Sequence, residues 1–212
     1  MTKSGSGTLT LSGVNTYSGG STLSAGTTVI SADSGLGSSS GSLTMGGATL
    51  EIASCTFSSN RTTTITGSNT IQVDSGATWT LSGAVGSSGS LTKTQTGTLV
   101  LSGANTYSGG TTLSAGVLNI QNNTGLGDTS GAVTVASGAQ LQLQGGITTN
   151  ANALSLTGTG VSSTGALLNV SGDNSYAGAI TLAGATTIGS SANTMTLSGG
   201  ISGAGQDVTF TG

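Results

Sequence analysis

One segment of the chain is present twice, and this duplication constrains the fold more than any other feature. Residues 7–30 and residues 97–120 are identical at 18 of 24 positions, at an offset of 90. The similarity continues to Gly37 and Gly127 and then slips by one position, which indicates a turn that tolerates an insertion. A more divergent third copy ends at Tyr176, the counterpart of Tyr107. A fixed period predicts a fold of stacked, similar units.

The intervals from Tyr17 to Tyr107 and from Tyr107 to Tyr176 suggest the length of one turn of such a stack. If one turn holds about 22 to 23 residues, the first interval is about four turns long and the second about three. Shorter turns of about 18 residues would also fit both intervals approximately. The longer turn predicts about nine turns and a rod slightly over ~40 Å long, because neighbouring strands are ~4.8 Å apart. We expect one repeat domain over residues 1–212, with long units at about 1–90, 91–160 and 161–212.

Short alternating stretches predict strands with one buried face. Turns rich in Gly, Asn and Ser separate them, and no long stretch has helical periodicity. The chain has 39 Gly but no Pro and only 4% charged residues, so its composition differs from that of disordered chains. An antiparallel sandwich or barrel is an alternative, but the near-identical repeat favours stacked parallel coils. The alternating apolar pairs are Leu9 and Leu11, Leu99 and Leu101, Val133 and Val135, Leu141 and Leu143, and Leu154 and Leu156.

Charge and hydropathy exclude two classes of partner. Lys3, Lys93 and Arg61 are the only basic residues against six acidic ones, so no basic patch exists to neutralise a nucleic-acid backbone. No apolar run reaches the roughly 18 to 20 residues that span a bilayer as a helix, and no signal sequence opens the chain. We therefore expect either that the chain is cytosolic or that a signal peptide has been removed from it. The lone Cys55 is expected to be a small buried apolar residue rather than a reactive thiol.

The polar residues do not predict catalytic, cofactor-binding or metal-binding residues. Without any His, a nucleophilic triad cannot form, and the carboxylates needed for glycoside cleavage are not clustered in sequence. Calcium-binding nonapeptide repeats need a recurrent Asp that the copies lack. The segments 35–37 and 125–128 resemble phosphate loops only in their glycines, and we interpret them as coil corners. The scattered acids are Asp33, Glu51, Asp74, Asp128, Asp173 and Asp207.

The most informative polar positions recur in the copies. We interpret the asparagines as bonding turn backbone and the tyrosines as covering the next coil, with ligand contacts along one edge as the alternative. These residues are Asn15, Asn105, Asn174, Tyr17, Tyr107 and Tyr176.

Threonine-rich strands raise the possibility of an ice-binding face, which needs threonines aligned in successive coils. The one-position slip argues against alignment, and threonine is also a common strand residue on solvated faces. The threonines are Thr8 and Thr10, Thr78 and Thr80, Thr92, Thr94, Thr96 and Thr98, Thr194 and Thr196, and Thr209 and Thr211.

The run GSLTKTQTGTLVLSGANTYSGGTTLSAGVL at residues 89–118 resembles the autotransporter-associated β-strand repeat, also called the passenger-associated transport repeat. Gln95 departs from the family pattern, where Gly is usual and where the first copy has Gly5. The resemblance is clear in two copies and partial in the third.

The resemblance implies a right-handed parallel β-helix, all-β and single-stranded, at the surface of a Gram-negative bacterium. It implies a non-enzymatic stalk that supports export and display in an adhesin or biofilm protein, joined to a membrane barrel absent from this sequence. Partners of such a stalk include a host surface, glycans or other copies of itself. A self-assembling filament or an ice-binding solenoid is the alternative, and a polysaccharide-acting enzyme is less favoured.

Overall fold

The computed structural model describes residues 1–212 as a parallel β-solenoid of about ten turns, one more than expected. This confirms the predicted all-β, parallel β-helical fold. Two short 3₁₀ turns, Asp33–Leu36 and Val161–Ser163, are its only helical segments, and no helix is long and apolar enough to cross a membrane. The strands are β1 (Thr2–Lys3), β2 (Thr8–Leu11), β3 (Ser21–Leu23), β4 (Thr27–Ile30), β5 (Leu43–Gly46), β6 (Thr49–Ile52), β7 (Thr56–Ser59), β8 (Thr63–Thr66), β9 (Ser68–Val73), β10 (Thr78–Leu81), β11 (Val85–Gly86), β12 (Ser90–Thr94), β13 (Thr98–Leu101), β14 (Thr111–Leu113), β15 (Val117–Ile120), β16 (Val133–Val135), β17 (Gln140–Gln144), β18 (Leu154–Gly158), β19 (Leu167–Ser171), β20 (Asn174–Tyr176), β21 (Ile180–Ser190), β22 (Met195–Leu197), β23 (Ile201–Ser202) and β24 (Val208–Thr211).

The strands form three columns, which we call faces A, B and C. Face A contains β1, β3, β5, β8 and β11, and near the C-terminal end β20 and β22. Face B runs through β2, β4, β6, β9, β12, β14, β16, β18, the first part of β21 and β23. Face C contains β7, β10, β13, β15, β17, β19, the second part of β21 and β24. Every pairing is parallel, as expected when each turn stacks on the turn before it.

The two copies of the repeat lie on different faces. Lys3 is on face A, where its register partner is Leu23. Lys93 is on face B, between its partners Ile71 and Leu113. Four turns from Lys3 along face A lead to β11, and Lys93 comes one face later. The offset between the copies therefore equals four turns and one further face, and the expectation of four whole turns was wrong.

The cause is the length of the turns. Several are shorter than expected, such as the turn that leads from Thr8 to its register partner Thr27. The longest turn on face B leads from Ser155 to Thr181, because the connection between β18 and β19 contains the second 3₁₀ turn. The length of a turn is set mainly by its corners, and the strands keep their register except for shifts after Leu143 and Leu156.

The interior is one continuous column of apolar side chains. A single cluster of 37 buried residues runs through the turns, so the chain has one core. Each predicted alternating pair points inward, and Leu99, Leu101, Leu141 and Leu143 are fully buried. Only Leu9 and Leu11, in the first turn, remain partly exposed. Burial of these side chains stabilises the stack by about 25 cal/mol per Å² of apolar surface.

Candidate functional site: the polar positions of the repeat

A lysine side chain inside the solenoid is held by three backbone carbonyls. The ammonium of Lys93 donates to the oxygens of Thr94 at 2.8 Å, Gln95 at 2.8 Å and Ala115 at 3.3 Å. Lys93 is completely buried, and burial lowers the pKa of its amine to about 8. The three donors of an ammonium match three carbonyls, so the cradle is fully satisfied without a carboxylate.

The first copy builds the same cradle on a different face. Lys3 donates to the oxygens of Gly5 at 2.7 Å and Ala25 at 3.0 Å, which correspond to Gln95 and Ala115 of the second copy. Gly116 is required beside the cradle, because its φ is +70° and a Cβ there would lie 2.5 Å from the carbonyl oxygen of Gln95. The cradle is therefore a local property of the repeat and does not depend on the face.

The repeated asparagine links three successive turns. The side-chain oxygen of Asn105 accepts a hydrogen bond from Val85 N at 2.8 Å, and its amide donates to Gly125 O at 2.8 Å. Asn15 donates to Gly35 O at 2.8 Å in the first copy, and Asn174 accepts from Ile147 N at 2.7 Å in the third. The interpretation of these asparagines as turn-bonding residues is confirmed.

The repeated tyrosines are packed inside the structure. Tyr107 and Tyr176 are fully buried, and Tyr17 in the first turn is partly buried. The Tyr107 hydroxyl is 2.7 Å from Thr111 Oγ1, and the Tyr176 hydroxyl donates to Asn152 O at 2.9 Å. Burial raises the pKa of Tyr107 to about 12, against the opposing effect of its hydrogen bond with Thr111. The predicted role of covering the adjoining coil is confirmed, and a row of exposed tyrosines does not form.

Arg61 anchors the loop that follows the first 3₁₀ turn. Its Nη1 donates to Ser38 O at 2.7 Å and Gly41 O at 2.9 Å, and its Nη2 donates to Gly37 O at 2.6 Å. Its Nε lies 2.8 Å from Asp33 Oδ1, and the guanidinium is buried. Arg61 thus satisfies carbonyls of the preceding turn and pairs with the only acid it contacts.

The second copy replaces Arg61 with two asparagines. Asn152 Nδ2 donates to Asp128 O at 2.7 Å and Gly131 O at 2.9 Å, the counterparts of the two Nη1 acceptors. Asn150 Nδ2 donates to Gly127 O at 3.1 Å, the counterpart of the Nη2 acceptor. Asn152 is the counterpart of Arg61 once the one-position slip in the sequence is taken into account.

The remaining acids serve turns or face solvent. Asp128 accepts from Ser130 N at 2.9 Å and Ser130 Oγ at 2.7 Å, and these hydrogen bonds lower its pKa. Asp173 accepts from Thr194 N at 2.9 Å. Glu51 and Asp74 are partly exposed and Asp207 is exposed. No group of three or more His, Cys, Asp or Glu side chains is close enough to hold a metal ion.

Cys55 differs from its prediction, because it is half-buried rather than buried. It lies on a turn beside the core, before Phe57 enters the stack. Burial and the nearby charge of Asp74 raise the pKa of its thiol. A raised pKa reduces the thiolate fraction, which is the reactive form.

Sequence reasoning missed the roles of Lys3, Lys93 and Arg61, which were considered only as an insufficient basic patch. A usable signal was present, because two of the three basic residues in the chain recur at the offset of 90. Arg61 carried no such signal, because its counterpart is an asparagine pair.

Together, the stacked turns and the inward-bonded polar motif define a β-solenoid repeat protein. Residues 1–30 and 91–120 match the family model described as the passenger-associated-transport-repeat. A protein of Brucella suis biovar 1 (strain 1330) named adhesin BmaC autotransporter is 38% identical over 148 residues, which cover 66% of this chain. The chain spans only 4% of the length of that relative. No solved structure matches significantly. These two segments are therefore autotransporter repeats of that family, as the sequence predicted.

Proposed function

We propose that this chain is a non-enzymatic stalk segment of an autotransporter passenger, which supports export and display at the surface of a Gram-negative bacterium. One observation carries the proposal: the polar side chains shared by the repeats bond to neighbouring turns. Asn105 links the turns before and after it, and Lys93 closes a corner onto the next turn. Side chains used in this way hold successive coils together and leave little for a ligand.

The placement of the copies supports the same proposal. Equivalent positions such as Thr22 and Thr112 are on faces A and B, so the repeats cannot present identical side chains along one line. A repeat that served as a row of binding sites would need such alignment. In a solenoid, each turn contacts mainly its neighbours, so folding can propagate from turn to turn as the chain emerges.

The wider setting is part of the proposal. The relative is named an adhesin and an autotransporter. By analogy, we place the segment in a longer adhesin or biofilm passenger joined to a membrane barrel, with the partner contacts made by other regions. The units 1–90, 91–160 and 161–212 then form one continuous length of stalk.

Surface display tests the proposal. The chain, preceded by an epitope tag, is inserted between a signal peptide and an autotransporter barrel, and the tag is measured on intact cells by flow cytometry. Asn105→Leu should reduce display because it removes hydrogen bonds to two turns. Asn60→Leu is the matched control, because Asn60 is exposed and makes no side-chain hydrogen bond.

Two results would contradict the stalk. One is equal display of Asn105→Leu and the control, which would mean that turn stacking is unnecessary for export. The other is competition by the purified chain against adherence of bacteria that carry the parent protein, since a stalk has no receptor site.

A further inference from the structure

Face B carries an unbroken column of hydroxyl side chains along the whole solenoid. One outward position of this face is Thr or Ser in every turn, and each residue is the register partner of the next. Only Ser202, in the last turn, bonds its hydroxyl to the protein, at 3.3 Å from Ile180 O. The column consists of Thr8, Thr27, Thr49, Thr70, Thr92, Thr112, Thr134, Ser155, Thr181 and Ser202.

The repeated motif accounts for only part of this column. Thr27 belongs to the column, whereas its counterpart Val117 lies on face C. Thr10 is likewise outward on face B, and its counterpart Val100 is on face C. Two of the six differences between the copies therefore exchange a hydroxyl on face B for a methyl group on face C. At Thr27 the side chain follows the face, whereas Thr8, Thr92 and Thr112 keep threonine at their counterparts Thr98, Thr2 and Thr22 on the other faces.

The threonine pairs named from the sequence do not form one array. Thr8 and Thr10 are on face B, Thr78 and Thr80 are on face C, and Thr196 is on face A. The expected misalignment is correct for these pairs. It is wrong for the single column, because the changes in turn length occur at corners and the strands of face B remain in register.

Small side chains flank the column in its C-terminal half. Ala132 and Ala136 flank Thr134, and Ala179 and Ala183 flank Thr181. A shallow depression there is lined by Ala132, Thr134, Ala153, Ser155 and Thr181 together with the backs of two core residues. The side chains that line this depression are uncharged and present methyl and hydroxyl groups.

The spacing of the hydroxyls suits ordered water. Register partners on parallel strands are ~4.8 Å apart. A water molecule that makes two hydrogen bonds of ~2.75 Å at the tetrahedral angle joins oxygens about 4.5 Å apart. One water can therefore bridge each neighbouring pair, and the column can hold a file of waters with the second-neighbour spacing of a tetrahedral lattice.

We propose that face B is an ice-binding surface, with the hydroxyl column holding the first row of lattice waters. Other partners fit less well. Face B has no aromatic side chain on its outer surface to pack against sugars, and it has no basic residue there to meet a polyanion. This function is independent of the stalk role, since it needs only the folded solenoid.

The test measures the gap between the melting and freezing temperatures of an ice crystal in a solution of the whole chain. The wild-type protein should open a gap, and Thr134→Lys should abolish it by placing a long charged side chain in the column. Ser58→Lys is the matched control, because Ser58 is an exposed outward strand residue of face C. Thr112→Lys provides a second disruption of the column if Thr134→Lys does not fold.

Each other outcome would overturn the proposal. If the wild-type protein produced no gap between the melting and freezing temperatures, it would have no ice-binding face. If Thr134→Lys and Ser58→Lys lost the gap between melting and freezing temperatures equally, the activity would not depend on face B. The same conclusion would follow if Thr134→Lys and Thr112→Lys both kept the gap. Sedimentation that shows a wild-type dimer, a monomeric Thr134→Lys variant and no gap would make face B a contact between copies instead.

Discussion

Lys93 stacks directly on Ile71 inside the solenoid, so an ammonium group interrupts a column of aliphatic side chains. Leu113 continues the column on the other side. The charge is tolerated because three carbonyls of the neighbouring corner surround it. This arrangement makes the stability of the solenoid depend on one side chain and on its protonation.

Replacing Lys93 with Met should destabilise the protein by about 2 kcal/mol, because a thioether leaves three carbonyls of a partly buried corner without the donor that the buried lysine supplies. Lys3→Met is the matched control. Its cradle is in the partly exposed first turn, where water can replace the lost donor, so its cost should be below about 1 kcal/mol. Urea unfolding gives both values, and equal costs would contradict the importance of burial.

The same lysine should make stability rise in mild alkali. Burial lowers the pKa of Lys93 from 10.5 to about 8, so between these values the unfolded chain binds more protons than the folded one. The free energy of unfolding therefore increases with pH in this window, by about 2 kcal/mol from pH 8 to 9.5. The difference between the wild-type protein and Lys93→Met should widen over this range. A constant difference would mean that the amine is not desolvated.

Gln95→Gly should stabilise the protein by about 0.5–1 kcal/mol. Gln95 has a φ of +61°, a conformation that costs a residue with a side chain more than it costs glycine, and Gly5 has a φ of +80° at the same point of the first copy. Thr96→Gly is the control, because Thr96 lies in the same exposed turn without a positive φ. The control should lose stability. A gain in both variants would assign the effect to chain flexibility.

Arg61→Ala should cost about 3–5 kcal/mol, because it leaves the carboxylate of Asp33 and several carbonyls without their donor. The second copy suggests a repair. Asn123 is the counterpart of Asp33, so a triple variant, Asp33→Asn, Ser59→Asn and Arg61→Asn, reproduces the three asparagines of the second copy, Asn123, Asn150 and Asn152. It should recover at least about 1 kcal/mol relative to Arg61→Ala, as measured by thermal or urea unfolding. No recovery would show that the two loops are not equivalent.

The fold could be predicted because the sequence contains two near-identical copies of the same strand-and-turn pattern. Alternation around Leu99 and Leu101 identifies inward positions, and the near-identical copies indicate stacking. The face of each copy could not be predicted, since small differences in corner length accumulate over four turns. Lys93 was also missed, because a charged residue usually marks a solvated position and only the backbone geometry of its own corner and of the next turn shows its acceptors.

Cross-linking tests the central claim, that the second copy begins on face B rather than directly above the first copy on face A. In a Cys55→Ser background, cysteines are placed at Thr92 and either Thr70 or Thr64. Thr70 is the register partner of Thr92, and Thr64 lies on face A. Cα atoms of parallel register partners are ~4.8 Å apart, within the range of a disulfide. We expect the 70–92 pair to oxidise readily and the 64–92 pair to stay reduced, as read by the mobility of the folded protein on non-reducing gels. A 64–92 disulfide that forms while 70–92 does not would contradict the account.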